Sequence, residues 1–134
     1  MLVHLQYPRI PHHVLESLFE ADNVTEATKS PAMDVTEQEN ELVVTAELPG
    51  VTKDQVKVTY ENGILTVAGK MAPHEMPQDA KVLLNEMRVR DFSRSIRVDG
   101  DVDVNNIGAE LENGILRIVL PKAPEARIRT IPVK

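Results

Sequence analysis

Between about residues 34 and 120, apolar and polar side chains alternate in short runs, and the runs are separated by Gly, Pro, Asn and Asp. Alternation with a period of two gives an extended strand one face for a core and one for water. This stretch therefore predicts an all-β domain, with helical period nearly absent. Leu42, Val44, Ala46 and Leu48 interleave with Val43, Thr45 and Glu47. Pro49-Gly50 then stops the run, because proline has no ladder N–H and glycine permits a turn. Val56, Val58 and Tyr60 interleave with Lys57 and Thr59 up to Asn62-Gly63, and Ile64 to Ala68 follow. Asn-Gly between two such runs is the strongest short-range hairpin signal a sequence offers, and it predicts a tight turn. The device returns downstream, since Glu-Asn-Gly-Ile-Leu stands at residues 61–65 and again at 112–116. Seven or so short strands of this kind each bury one side only if two sheets face each other, which predicts a β-sandwich.

The flanks read differently. From Pro11 onward, Val14, Leu15, Leu18 and Phe19 fall on one stripe at helical spacing, with Glu16, Ser17 and Glu20 among the other positions. A short helix is predicted there, and its stripe needs a cover: its own domain, another subunit or an unfolded chain. Asp22 to Ser30 is a polar linker. Residues 122–134 hold four basic residues and one acid; with −6 on the whole chain, the remainder holds −9 and attracts its own tail. In that tail an extended backbone sets Ile131 and Val133 on one side, about 6 to 7 Å apart. Pro132 fixes φ and removes a donor, so the segment is preorganised to place two apolar knobs in a groove beside a sheet edge.

Length and charge narrow the function. A chain of 134 residues with 42% hydrophobic and 27% charged residues fits one compact domain and neither wholesale disorder nor a membrane protein. The net charge of −6 repels phosphate backbones, and two Phe, two Tyr and no Trp leave few platforms for stacked bases, which argues against nucleic acid. With no cysteine, disulfides, thiolate catalysis and Cys-ligated zinc are excluded. Met1 to Ile10 show no basic segment followed by an apolar run, and no stretch approaches a membrane span, so a cytoplasmic setting is expected. The nucleophile elbow, the phosphate-cradling glycine loop and the His-Glu-x-x-His helix are all missing, and His4, His12, His13 and His74 are not spaced as a metal site. No catalytic residue, metal or cofactor is assigned. One polar residue breaks its pattern: Arg94 shares a strand face with Phe92, Ile96 and Val98, while Ser93, Ser95 and Arg97 share the other. It either meets a carboxylate such as Glu86, from its own or a second subunit, or snorkels to solvent at the sheet rim.

These segments together resemble the small heat-shock proteins of the α-crystallin family, over residues 31 to the end. Pro31-Ala32-Met33-Asp34-Val35 is similar to the family's entry into its first core strand, and Ala46-Glu47-Leu48-Pro49-Gly50-Val51 to its Leu-Pro-Gly-Val turn. Ala109 to Leu116 resembles the Ala-x-x-x-Asn-Gly-Val-Leu signature with isoleucine for valine, and Ile131-Pro132-Val133 resembles the C-terminal Ile-x-Ile/Val anchor. The resemblance implies an arm over residues 1–30, an immunoglobulin-like sandwich over 31–121 and an extension over 122–134. It also implies a dimer that exchanges a strand at Lys81 to Glu86, with Val82, Leu83 and Leu84 at the interface and Glu86 and Arg94 close by. The tail anchor would lie in a neighbouring dimer's groove between strands mapping to residues 55–60 and 107–112, with Val56, Val58 and Leu111 as groove residues. The arm, with Val14, Leu15, Leu18 and Phe19, would contact clients. Two departures stand out: Glu86-Met87-Arg88-Val89-Arg90-Asp91-Phe92 lacks the Arg and Gly of the family's Glu-Arg-x-x-Gly-x-Phe, and Val98-Asp99 replaces its Leu-Pro.

The expected function is that of an ATP-independent holdase, which captures partly unfolded proteins on exposed apolar surface and assembles with itself into higher homo-oligomers. The rival from another class is a monomeric co-chaperone or adaptor similar to the CS domain, binding one folded partner. An enzyme on a β-sandwich would need convergent polar groups that the sequence does not offer.

Overall fold

The computed structural model describes residues 28–124 and 130–134 and, before them, the backbone pairing of Val3–His4. The helix expected on the stripe from Val14 to Phe19 lies outside the described residues. The strands in chain order are β1 (Val3–His4), β2 (Thr28–Lys29), β3 (Met33–Glu37), β4 (Glu41–Glu47), β5 (Val51–Glu61), β6 (Ile64–Met71), β7 (Asp91–Val98), β8 (Gly108–Glu112) and β9 (Ile115–Pro121). Among the described residues, helical geometry is confined to a 3₁₀ turn at Val104–Asn106 and to Pro124. The chain is the all-β sandwich that the alternation predicts. One sheet runs β1-β7-β6-β5, with β2 also alongside β7, and the other runs β3-β4-β9-β8.

Alternation explains the core. Leu42, Val44 and Ala46 of β4 and Leu116, Ile118 and Leu120 of β9 point inward from one sheet. They meet Leu65 and Val67 of β6 and Phe92, Ile96 and Val98 of β7 from the other, in one buried cluster. Fully burying such side chains stabilises by roughly 1.5 to 3 kcal/mol each, so the contact between the two inner faces is the main source of stability.

Both Asn-Gly turns are two-residue hairpins with positive φ at each turn residue: 51° and 76° at Asn62 and Gly63, 51° and 75° at Asn113 and Gly114. Those angles define a type I′ turn, whose twist matches that of the strands it joins. Each turn glycine also accepts a bond from a third strand or its continuation: Val98 N–H donates to Gly63 O at 2.8 Å, and Leu48 N–H to Gly114 O at 2.7 Å. The repeated pentapeptide therefore does one job in each sheet, closing a hairpin and locking it to β7 or to the end of β4. Leu65 and Leu116 follow the turns inward, and Ile64 and Ile115 face outward.

Two positions depart from simple patterning. Arg94 stands in the inward row of β7, opposite Val67, where an aliphatic residue is the rule. Its Nη1 donates to the backbone carbonyl of Pro31 at 3.0 Å, so in the single chain its partner is a carbonyl of the segment entering β3 and not Glu86. The second departure is on the outer face of the five-stranded sheet, where Thr66, Ala68, Ser93 and Ser95 are buried. Thr66 Oγ1 and Ser95 Oγ are hydrogen-bonded at 2.8 Å.

Gly114→Ala puts a Cβ on a left-handed residue and is expected to cost about 1 to 2 kcal/mol. Urea unfolding would show it as a lower midpoint with an unchanged slope, and an unchanged midpoint would contradict the turn assignment.

Candidate interaction site

Residues 72–90 leave β6 and return to β7 without forming a strand among themselves. A turn closed by Ala80 N–H on Pro77 O (3.0 Å) folds this loop back. Its two limbs, Pro73–Met76 and Leu84–Val89, border an open cleft of about 920 Å³. Val82, Leu83 and Leu84 stand in water, Leu83 with 87% of its surface exposed, and Met76, Met87 and Val89 are exposed beside them. Large apolar groups side by side in solvent are a favourable target for any surface that removes them from water. The Lys81–Glu86 segment, expected as the exchanged strand, is here an exposed coil with Glu86 in solvent.

A second surface comes from the sheet order. β5 and β8 are each the last strand of their sheet and approach one another along one side of the sandwich. The sequence-predicted groove residues meet there: Val56 and Val58 are half-buried against the core, together with Tyr60 and Ile107. Leu111 is more enclosed than a groove wall requires, at 8% exposure, and belongs to the core itself. Tyr60 and Ile107 are neighbours that the sequence reading did not single out, although the alternation of β5 already put Tyr60 in line with Val56 and Val58.

The third element is the tail. Lys122 and Ala123 are held where the chain leaves the sandwich: Lys122 N–H donates to Asn40 O (2.9 Å), and Ala123 N–H to Asp101 O (2.9 Å). Lys122 Nζ lies 3.0 Å from Glu37 Oε1, and this hydrogen bond is the main reason the Glu37 carboxyl is held below its ordinary range. Beyond this fixed exit Ile131 and Val133 are exposed at 81% and 97%, so both knobs face water in the single chain. Among the described residues no three His, Asp or Glu side chains converge as metal ligands, and no helix is long and apolar enough to cross a membrane.

A two-layer sandwich with open edges, an exposed apolar loop and exposed apolar knobs on a fixed tail has the build of a protein-binding module. The family model for the Hsp20/alpha crystallin family matches residues 34–134. Small heat shock protein C4 of Rickettsia felis is 35% identical over 104 residues, covering 78% of this chain and 64% of its own length. Among solved structures, Heat shock protein 16.0 from Schizosaccharomyces pombe superposes with a TM-score of 0.66 at 33% identity, over 79% of this chain and 99% of that one. A small heat-shock protein from Xylella fastidiosa, whose structure is described as a distinct high order structure, gives 0.62 at 28% identity, over 79% and 94%. The chain belongs to the Hsp20/alpha crystallin family. Its relatives are small heat-shock proteins, a family known as chaperones.

The phenol of Tyr60 is pushed above its ordinary value, first by burial and then by the negative charge of Asp101. A raised value in the folded state means that this contribution to stability is complete below about pH 10 and is lost as pH rises through the folded value. With Tyr7 replaced by Phe, ultraviolet titration of the folded chain should ionise Tyr60 at higher pH than in urea. Coincident midpoints would show that the Tyr60 ring is not enclosed at the β5 edge.

Proposed function

We propose that this protein is an ATP-independent holdase that binds partly unfolded proteins and keeps them from aggregating, in a cytoplasmic setting that a cysteine-free chain allows. The observation that carries the reading is the pair of exposed apolar elements, Val82-Leu83-Leu84 and Ile131-Pro132-Val133, on a chain whose relatives are small heat-shock proteins. Such elements are costly in an isolated subunit and useful in one that assembles reversibly.

In this reading the loop dimerises the chain. The outer side of β7 already carries β1 and β2, and the edges of β5 and β8 border the tail groove, which leaves β3 as the edge open to a partner's Lys81–Glu86 strand. Docking would remove Val82, Leu83 and Leu84 from water and bring the partner's loop, with its Glu86, toward Arg94. The tail would then join dimers by placing Ile131 and Val133 between β5 and β8 of a neighbour, against Val56, Val58 and the edge of Leu111. Burying both knobs contributes roughly 3 to 6 kcal/mol. Ordering each of four or five tail residues costs about 1 to 2 kcal/mol. A single tail is therefore weak, and many tails linked in one assembly hold together. The arm, residues 1–30 with Val14, Leu15, Leu18 and Phe19, takes the client by hydrophobic contact, without a catalytic group or cofactor.

Light scattering from a heat-labile client, without ATP and at rising molar ratios of this chain, should fall to the baseline near stoichiometric ratios. No suppression by a folded monomer would instead favour an adaptor that binds one folded partner. Replacing Ile131 and Val133 with Ala should reduce the native mass towards that of a dimer. Replacing Leu83 and Leu84 with Asp should carry it down to the monomer. An unchanged mass in either variant would remove that contact from the assembly.

A further inference from the structure

The β3 edge and the exposed loop carry opposite charge. From Met33 to Glu47, β3, its turn and β4 hold five acids, Asp34, Glu37, Glu39, Glu41 and Glu47, and no Lys or Arg. From Lys81 to Arg90 the loop holds three bases, Lys81, Arg88 and Arg90, and one acid, Glu86. Lys81 and Arg88 are exposed on either side of the apolar run Val82-Leu83-Leu84. Arg90 is half-buried at the foot of β7, where its carbonyl accepts from Met71 N–H. Glu37 has Lys122 as its partner, while Asp34, Glu39 and Glu47 are exposed. β3 ends its sheet, with no strand on its outer side among the described residues.

The acids gather at the two ends of this edge. Register sets Asp34 beside Thr45 and Glu47 beside Ile115, so both carboxylates stand on the outer side of the sheet at the start of β3. Between them lies a cleft of about 120 Å³ with Thr45 and Ile115 in its wall, and 43% of the Ile115 surface is exposed. Two carboxylates over an aliphatic wall suit one long basic side chain, whose stem covers the isoleucine while its cation faces both acids. Arg117, a base on the same face, has Glu110 directly opposite on β8, and Thr45 stands between it and Asp34. At its far end β3 runs into the turn closed by Gln38 N–H on Glu41 O (2.8 Å), which carries Glu39. The spacing agrees as well. Lys81 and Arg88 are seven residues apart, about 23 Å when extended. Ala32, whose carbonyl accepts from Glu47 N–H, and Glu39 are also seven residues apart. A loop segment laid along β3 in either direction therefore brings one base to the cleft and the other to the turn.

We propose that a second copy of this chain is recognised at the β3 edge by charge, with Lys81 and Arg88 of its loop seated at the two acidic ends and one of them in the cleft between Asp34 and Glu47. This rests on the reading of the loop as the dimer contact and adds what makes that contact selective. Val82, Leu83 and Leu84 would suit many apolar surfaces, because apolar burial is non-directional. The charges at either end fix how far along the edge the loop lies and turn away chains with an acidic loop or a basic edge. Exposed ion pairs are screened by salt, so the pairing weakens as ionic strength rises.

The test starts from the chain carrying Ile131→Ala and Val133→Ala, in which the tail no longer links pairs. Its dimer dissociation constant, from sedimentation equilibrium, should rise about tenfold between about 0.05 and 0.5 M NaCl, and a salt-independent constant would overturn the proposal. In that background, Lys81→Glu with Arg88→Glu in one chain, and Asp34→Lys with Glu47→Lys in another, should each give a monomer at low salt where the parent is a dimer. Mixed one to one, the two should form a heterodimer, since each contact again joins opposite charges. A reversed chain that pairs with itself as tightly as the parent, or a mixture of folded chains that stays monomeric, would overturn the proposal. Far-ultraviolet dichroism checks that each keeps its sheet signal, and a chain that loses it leaves the salt titration of the parent to decide. Leu83→Asp with Leu84→Asp tests the underlying reading: a dimer that survives this change would remove the loop from the contact, whatever the charges show. A monomer there, beside reversed chains that still self-pair, would keep the loop contact and refute only the charge match.

Discussion

The interaction on which the rest depends is the burial of one face of each sheet against the other. Leu42, Val44, Leu65, Val67, Ile96 and Ile118 are almost wholly removed from water between the layers, all of them on strands. A two-layer core has a geometric consequence: with only the inner faces satisfied, each sheet still has an outer face and two edges to account for. The chain deals with them unevenly. β7 has β1 and β2 along its free side, while β3, β5 and β8 end their sheets. What this protein offers to other chains therefore follows from what its own core leaves over.

The apolar residues outside the core fall into groups with different tethers. The loop triplet Val82-Leu83-Leu84 is held between two strands of one sheet, so it moves with the sandwich. The tail knobs Ile131 and Val133 hang eight or more residues beyond an exit pinned by Lys122 and Ala123. A short tether holds a contact in a fixed position, and a long one allows a neighbour at variable distance to be reached at an entropic cost. In the proposed assembly, that difference suits a tight pairing through the loop and a looser, reversible linkage through the tail.

Arg94 ties the entering segment to this frame. It sits in a row of core residues on β7, and its charged head reaches the carbonyl of Pro31, itself buried. A guanidinium in that row is tolerated because the neighbouring segment gives it an acceptor; without one, desolvation would oppose burial. The bond joins β7 to the start of β3, next to the point where β2 lies along β7, so the junction between arm and sandwich is fastened at two places.

Much of this was legible in the amino-acid order, for a definite reason. A strand has a period of two, so the alternation from Leu42 to Leu48 and from Val56 to Tyr60 specifies which side chains share a face. Asn-Gly at 62–63 and 113–114 specifies positive φ at two adjacent positions and so the hairpins. Asp34 to Leu120 thereby determined a two-sheet β protein, and Ile131-Pro132-Val133 determined that two apolar knobs project from one side of an extended tail. Period two sorts side chains to opposite faces but does not say what covers each face. Only the tertiary structure decided that Thr66, Ala68, Ser93 and Ser95, on the face expected to meet water, are enclosed, that Arg94 meets a carbonyl of Pro31, and that Leu111 belongs to the core more than to the groove. Each of those outcomes depends on contacts between residues distant in the chain, and no local pattern of apolar and polar positions encodes such a contact.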